Sequence, residues 1–286
     1  MILSMTGFGK ASLQLSTKKI TVEVKSLNSK GLDLNTRMPS VYRENELALR
    51  TLLAQKLERG KVDFSLFVEV TGEETSSKIN APIVKAYIAQ MKAILPDADE
   101  TELMKMAVRM PDTMKTEREE IDPNEWKQIQ TVIDEAIENM LSFRISEGAS
   151  LEKEFTLRIE NIRSYMNQAL ALDPERVANI KERLQTAIDE LKVNVDANRF
   201  EQELIYYLEK LDITEEKVRL TNHLDYFLQT LNGSEANGRK LGFITQEMGR
   251  EINTMGSKSN HAEMQKLVVM MKDELEKIKE QVLNVL

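Results

Sequence analysis

Residues 20–27, with the sequence ITVEVKSL, alternate apolar and polar side chains and so have the two-residue period of a strand with one buried face. Short stretches of the same kind lie on either side, and we predict two or three strands within residues 1–37. Residues 41–57 take up helical spacing, after which residues 62–70 return to the strand pattern. An N-terminal unit of strands, one helix and a final strand is therefore predicted, closed by the polar residues 71–77.

Beyond this unit the apolar spacing is helical almost to the end of the sequence. A loop with a variable insertion is expected near 110–124, where Pro111 and Pro123 flank a charge cluster. Pro174 separates two long helices, because proline is tolerated in the first turn of a helix and restricts the residue before it. Helices are predicted at about 125–170, 175–194, 199–210, 214–231, 239–254 and 260–285.

These elements predict an α+β fold with three parts. An N-terminal mixed strand/helix domain is expected at 1–72, a long-helix arm at 73–200 and an all-α C-terminal domain at 201–286. At the start of the last helix, Asn260 and Glu263 have the spacing of a capping box. The apolar stripe along that helix predicts a contact with the core or with another subunit.

The composition is that of an ordinary globular protein, and it restricts the chemistry. The chain has no cysteine, which excludes disulfides and Cys-ligated metals, and only two histidines, His223 and His261. Phosphate-loop, zinc-protease and nucleophile-elbow motifs are absent from the sequence. No apolar run approaches the roughly 20 residues of a membrane span, and no signal-peptide pattern is found, so a cytoplasmic protein without membrane partners is expected.

The charge is unevenly distributed along the chain. The net charge is −8, yet residues 1–70 carry 11 Lys/Arg against 7 Asp/Glu, whereas the remainder carries 28 against 40. This basic N-terminal part, which includes Lys25, Lys30 and Arg37, suits a domain that faces an anion, although an imbalance of four charges is also common in domains that bind no nucleic acid. Because aromatic residues make up only 5% of the chain, base stacking is expected to be minor.

A first candidate site lies on the helix predicted at 214–231, with Thr214 as its N-cap. Glu216, Arg219, His223 and Tyr226 are spaced three, four and three residues apart and so share one helical face. Such a face could bind a metal and a phosphate, or it could be a solvated surface with a Glu–Arg pair. The opposite, buried side is predicted to carry Val218, Leu224, Phe227 and Leu231.

A second candidate site lies within residues 238–259. Glu247 and Glu251 are one helical turn apart and can share a hard cation, and Mg²⁺ or Mn²⁺ commonly takes only one or two carboxylates together with water and substrate phosphate. Arg250 lies on the same face. The residues Gly256–Ser259 are predicted to form a turn after this helix, which would offer N–H groups, hydroxyls and Lys258 to a phosphate.

Several stretches of this sequence resemble the YicC/YloC family from end to end. The similarity is weakest at roughly 72–125 and most specific in residues 250–258, REINTMGSK. The stretches that carry it are residues 4–9 (SMTGFG), 27–30 (LNSK), 32–34 (LDL), 59–62 (RGKV), 212–224 and 246–258.

The resemblance implies a bacterial endoribonuclease that depends on Mn²⁺ or Mg²⁺, takes part in RNA decay and encloses RNA as a homo-oligomer, expected to be a hexamer. Other RNA-decay proteins could be partners. The family motif carries glutamates at Glu247 and Glu251, an acidic pair at Glu215 and Glu216, and a histidine at His223. These positions are predicted to hold the metal, with Glu247, Glu251 and His223 as catalytic residues.

The chain departs from the family pattern at four positions, Ser29, Gly242, Gly249 and His261. The family is expected to have histidine, aspartate, asparagine and aspartate there, so these positions are not assigned roles. His261 could replace an oxygen ligand or lie exposed at a helix start.

We therefore hypothesise that Glu247 and Glu251, with Glu215 or Glu216, hold one or two divalent ions. Arg219, Arg250 and Lys258 would bind adjoining phosphates, while the N-terminal cations would guide the RNA. His223 would be a ligand or a general acid. Two alternatives remain open, a non-catalytic RNA-binding adaptor that presents small RNAs to another nuclease and a purely structural helical oligomer.

Overall fold

Four strands form one sheet in the N-terminal part of the chain. The computed structural model describes residues 2–71, 78–115, 122–191, 197–233 and 238–286. The strand order is β1-β2-β4-β3, with β2 antiparallel to both neighbours and β3 parallel to β4. The strands are β1 (Gly7–Gln14), β2 (Lys18–Leu27), β3 (Leu32–Arg37) and β4 (Gly60–Val70).

The remaining described elements are mainly helices. A 3-10 turn (Ser40–Asn45) leads into α1, and a short two-stranded ribbon, β5 with β6, brackets α2 and α3. The bounds are α1 (Glu46–Leu57), β5 (Lys78–Ile79), α2 (Ala81–Ile94), α3 (Glu100–Ala107), β6 (Met114–Lys115), α4 (Pro123–Ala171), α5 (Asp173–Leu191), α6 (Ala197–Lys210), α7 (Thr214–Leu231), α8 (Gly238–Lys258) and α9 (Ala262–Val282).

The 49-residue helix α4 contributes to two hydrophobic cores. Its first half packs on one face of the sheet, where Ile20, Val22 and Val24 of β2 are fully buried as their alternation predicts. Its second half packs against α7, α8 and α9, and Phe155 meets Phe227 edge to face with ring centroids 5.8 Å apart. One rigid helix therefore connects the sheet to the helical part of the chain.

Arg144 lies on α4 between the two cores and is 1% exposed. Its Nη2 donates to Ser26 Oγ at 2.6 Å and to the carbonyl oxygens of Met5 (3.4 Å) and Arg59 (3.3 Å). Burial lowers the pKa of this guanidinium. The motif segments around residues 5, 26 and 59 thus converge on one buried cation, which gives them a structural role.

The α+β class is confirmed, and most predicted elements are found within a few residues. The domain limits of 1–72, 73–200 and 201–286 stay a prediction. The polar closure at 72–77 and part of the insertion at 116–121 lie outside the described residues. Within the described ranges, no helix is both long enough and apolar enough to cross a membrane.

Three local predictions about helix ends were wrong. Thr214 is the first residue of α7, and Asp212 instead accepts from its backbone N–H at 3.2 Å. His261 rather than Asn260 caps α9, because its Nδ1 accepts from Met264 N. The helix α8 continues to Lys258, so Gly256–Ser259 is not a turn with free N–H groups.

Candidate functional site

The face of the sheet turned away from α4 is exposed and polar. We call it the open sheet face. Two predicted RNA contacts, Lys25 and Arg37, lie on it, and Lys30 lies beside it in the loop before β3. Its side chains are those of Phe8, Lys10, Ser12, Gln14, Lys19, Thr21, Glu23, Lys25, Leu27, Asp33, Asn35, Arg37, Lys61, Asp63, Ser65, Phe67 and Glu69, the alternate positions of the four strands.

The helices α7 and α8 run antiparallel as a hairpin. Near the start of α7, Glu216 pairs with Lys258 at the end of α8, and Lys240 at the start of α8 lies 4.9 Å from the ring centroid of Tyr226. With the regular rise of a helix, this pairing brings Glu247 of α8 to about the level of the middle of α7.

Lys258 joins the two ends of this hairpin. Its Nζ donates to Glu216 Oε1 at 2.7 Å and to the Asp212 carbonyl at 2.9 Å. Asp212 in turn accepts from the Thr214 hydroxyl at 2.8 Å, and that bond, followed by the charge of Lys258, lowers the pKa of Asp212. The ammonium predicted to bind phosphate is therefore already engaged within the protein.

Glu216 and Glu251 are both buried, which the predicted helical faces did not anticipate. Glu216 is 3% exposed and Glu251 is 5% exposed. The alternative interpretation of the first candidate face as a solvated surface is therefore wrong for Glu216, although Arg219 on that face is exposed. Val218 on the predicted buried side of α7 is 52% exposed. The packing of the hairpin against α4 and α9, rather than polarity, sets which residues are buried.

Glu251 is the most unusual carboxylate of the hairpin. The residue is 5% exposed, yet no side-chain hydrogen bond or ion pair reaches its carboxylate from the residues that the structure describes, and its oxygens are not among the fully buried atoms. The second oxygen of Glu216, Oε2, is in contrast fully buried and has no partner there. A buried carboxylate oxygen without a partner costs free energy, so a cation or a donor from outside these residues would stabilise Glu216, and the carboxylate of Glu251 is open to the same ligand.

The other predicted site residues lie at or near the surface of the hairpin. Glu247, one turn before Glu251, has 53% of its side chain exposed and lies 4.0 Å from Arg250. Arg219 pairs with Glu215 at 2.5 Å on the exposed side of α7. His223, which is half-buried, lies near the middle of the same helix. Glu247 thus lies at about the level of His223, Glu251 lies one turn further towards the end that Lys258 closes, and the Glu215–Glu216 pair lies near that end.

The side chains of one chain could supply only a few of the ligands of a metal ion. Among the side chains that the structure describes, no three His, Asp or Glu residues form a group able to hold a metal ion. Mg²⁺ and Mn²⁺ need fewer protein ligands than this, because water and substrate phosphate complete their shells. Glu251, whose carboxylate has no partner among the described residues, and the exposed Glu247 one turn away could supply this small number of ligands.

His261 lies away from this set. Its side chain is 13% exposed, its Nδ1 caps α9 and its Nε2 is 3.7 Å from Glu175 Oε1 on α5. Since Nδ1 accepts the capping hydrogen bond, the imidazole has a structural partner on each side. His261 therefore serves the start of α9 and is not an exposed residue.

Replacement of Lys258 by methionine is expected to lower the free energy of unfolding by about 2 kcal/mol, because the buried carboxylate of Glu216 would lose the cation that pairs with it. Chemical denaturation followed by circular dichroism measures this. Arg250→Met is the control, since that side chain is 76% exposed and should change stability by less than about 0.5 kcal/mol. Adding Glu216→Gln to Lys258→Met should restore most of the lost free energy of unfolding. If Lys258→Met were as stable as the wild type, the structural role of Lys258 would be contradicted.

An exposed sheet face with several cations, joined by one long helix to a hairpin with a buried carboxylate, is an arrangement suited to a polyanionic ligand. Family profiles define the class more closely. The profile described as "Endoribonuclease YicC-like, N-terminal region" matches residues 2–153, and "Endoribonuclease YicC-like, C-terminal" matches residues 169–286. The chain belongs to this family.

Two curated relatives are similar over the full length. The chain is 32% identical to "Probable endoribonuclease YicC" of Clostridioides difficile (strain 630), with 100% of both chains covered. It is 29% identical to the protein of the same name from Haemophilus influenzae (strain ATCC 51907 / DSM 11121 / KW20 / Rd), with 99% of both covered. The family resemblance found in the sequence is thereby confirmed.

Proposed function

We propose that this protein is an endoribonuclease that cleaves phosphodiester bonds of RNA with the help of a divalent metal ion, Mn²⁺ or Mg²⁺. Membership of the endoribonuclease YicC-like family supports RNA cleavage. The observation that carries the metal dependence is Glu251, a residue 5% exposed whose carboxylate has no hydrogen-bond or ion-pair partner among the described residues. Charged groups in such largely buried places are ordinarily paired or bound to a metal ion.

Glu251 and Glu247 would hold the ion, with Glu216 as a further donor through its free oxygen. When bound, a divalent ion lowers the pKa of a coordinated water and offsets negative charge on a phosphate. The hairpin orients the carboxylates because both lie on α8, whose buried side is fixed by α7 and α9. Glu215 belongs to the predicted metal group, although its carboxylate is paired with Arg219 at the surface.

His223 would serve as a general acid or as a ligand near these carboxylates. The two roles differ in the product. If the imidazole promoted attack by the ribose 2′-hydroxyl, the products would carry cyclic phosphates, whereas attack by an activated water would leave 5′-phosphate or 3′-phosphate ends.

RNA phosphates would be bound by exposed cations on both parts of the protein. Arg219 and Arg250 lie at the hairpin, and Lys25, Lys30 and Arg37 lie on or beside the open sheet face. Lys258 stays a predicted contact that would have to share its ammonium with Glu216 and a carbonyl. Each phosphate contact of this kind releases counterions, so binding should weaken steeply as salt is raised.

We further propose that the protein acts in RNA decay in the cytoplasm as a homo-oligomer, a hexamer by its resemblance to the family, with other RNA-decay proteins as possible partners. Light scattering on the purified protein would give the subunit number. A monomer that cleaves RNA would remove the hexamer from the proposal and leave the cleavage activity unaffected.

The purified protein is expected to cut an end-labelled hairpin RNA internally in Mn²⁺ or Mg²⁺ and to leave it intact in EDTA. A DNA of the same sequence should stay intact in every condition. The measurement is separation of the labelled products on a denaturing gel, followed by mapping of their ends. Binding without cleavage in each metal would favour the alternative, a non-catalytic adaptor that presents small RNAs to another nuclease. Neither binding nor cleavage would favour a purely structural oligomer.

A further inference from the structure

Two of the few aromatic side chains of this protein point outward from the open sheet face. Phe8 on β1 is 41% exposed and Phe67 on β4 is 50% exposed. The neighbours of Phe8 along the strand, Gly7 and Gly9, face inward, where their backbone packs on α4. The strand is thus held with the ring of Phe8 towards solvent.

The charged side chains next to the Phe8 ring have a net positive charge. Lys25 Nζ lies 5.6 Å from the centroid of the Phe8 ring. Lys10 and Lys25 flank Glu23 at 3.0 and 3.2 Å, and their hydrogen bonds, that of Lys10 first, lower the pKa of Glu23. One carboxylate therefore faces two lysines, and this triad keeps a net positive charge.

The strand register sets the distance between the rings. Phe8 is opposite Lys25, Lys25 is opposite Asp63, and Phe67 follows four residues later on β4. From the strand spacing and the rise per residue, the two Cα atoms are about 17 Å apart on a diagonal across the face. The position midway between them is Glu23, whose carboxylate is paired with Lys10 and Lys25. An extended strand of RNA could therefore cross the face with bases on both rings and its backbone beside these two lysines.

We propose that the open sheet face binds single-stranded RNA, with Phe8 and Phe67 each stacking on an unpaired base while Lys10, Lys25 and Arg37 contact the phosphates. Aromatic side chains on an open four-stranded sheet are a known means of holding unpaired bases, and stacking tolerates any base because each has a π-face. The inference rests on the proposed function, which it deepens by naming the form of RNA. It also departs from the expectation, drawn from composition, that stacking is minor.

A second copy of this chain is the competing occupant of the face. The cores of subunit interfaces are depleted in charged residues, and lysine, glutamate and aspartate are all among the depleted types. Here five cations and four carboxylates surround the two rings on the same face. That composition favours a polyanion with bases over an apolar subunit contact.

The double variant Phe8→Leu/Phe67→Leu tests the stacking, because leucine keeps an apolar side chain but removes the ring. We expect it to bind a fluorescein-labelled RNA without self-complementarity at least about 10-fold more weakly in EDTA, measured by anisotropy. A fully paired RNA should bind as before. Phe143→Leu, which removes a ring 45% exposed on α4 and outside the open sheet face, is the control and should bind both as the wild type does. A DNA strand of the same sequence shows whether the site requires ribose.

A fluorescent reporter gives a second readout that does not depend on affinity. Trp126 is the single tryptophan of the chain. In a Trp126→Phe/Phe67→Trp variant, emission from the new indole should be quenched when single-stranded RNA binds and unchanged when duplex is added.

Three outcomes would overturn the inference in different ways. If the wild type neither binds nor cleaves RNA, the proposed function fails together with it. If the wild type binds but the leucine variant binds equally well, only the stacking fails. If the leucine variant changes the subunit number in light scattering, the open sheet face is an interface between copies.

Discussion

Replacement of Glu251 by glutamine is expected to reduce RNA cleavage by about 100-fold or more while leaving the protein folded. Glutamine has nearly the same volume, so the packing of α8 is preserved, but it lacks the charge that would hold a cation. Because Glu251 is 5% exposed and its carboxylate has no partner among the described residues, removing its charge should leave the melting temperature unchanged or raise it. Initial cleavage rates and thermal unfolding are measured on the same preparation.

Glu276→Gln provides the matched control. Glu276 is an exposed carboxylate on α9 that pairs with Lys279 at 2.7 Å, and its loss should affect neither quantity. A readout apart from activity is the stabilisation by Mn²⁺, which should raise the melting temperature of the wild type and of Glu276→Gln but not of Glu251→Gln. If the Glu251→Gln variant cleaved RNA at the wild-type rate, or if it did not fold, the assignment of Glu251 to the metal would be contradicted.

The fold was largely predictable because its elements carry strong periodicity. Ile20, Val22 and Val24 alternate with polar residues, and the structure buries all three. The helix predicted at about 214–231 is found at Thr214–Leu231, although Thr214 is its first residue and not its N-cap. The end of α8 was not, because the residues Gly256 and Ser257 are read as turn formers when only local preference is considered. In the structure, Gly256 lies within α8, and Val268 of α9 approaches to 2.9 Å of the position that a Cβ would occupy, so this glycine allows two helices to pack closely and does not form a turn.

The candidate site was predictable in its residues but not in their surroundings. Spacing placed Glu247 one turn from Glu251, and the family resemblance singled out both. Burial of Glu216 and Glu251 could not be read from the sequence, since a helical pattern assigns charged residues to the solvent side. The contacts that bury them come from other helices, and the lysine that pairs with Glu216 is 42 positions away.

The motif at residues 4–9 similarly has a structural explanation that appears only in three dimensions. A Cβ added to Gly9 would lie 2.0 Å from the Ala136 carbonyl oxygen and 2.6 Å from Met140 N, both in the backbone of α4. Glycine is required there because the strand and the helix touch through their main chains. The same close approach is repeated at Gly148, where a Cβ would be 2.0 Å from the Ile2 carbonyl oxygen.

We therefore expect Gly9→Ala to lower the free energy of unfolding of the sheet core by about 3 kcal/mol, because β1 must move away from α4 and leave a poorly packed gap. Emission of Trp126, which packs against that core, follows its unfolding in urea. Gly31→Ala is the control, since a Cβ at Gly31 meets no atom within 4 Å, and its stability should stay within about 0.5 kcal/mol of the wild type. Equal stability of the two variants would mean that β1 and α4 are not in main-chain contact. Since Gly9 adjoins Phe8, the alanine should also weaken binding of single-stranded RNA by displacing the ring from the open sheet face.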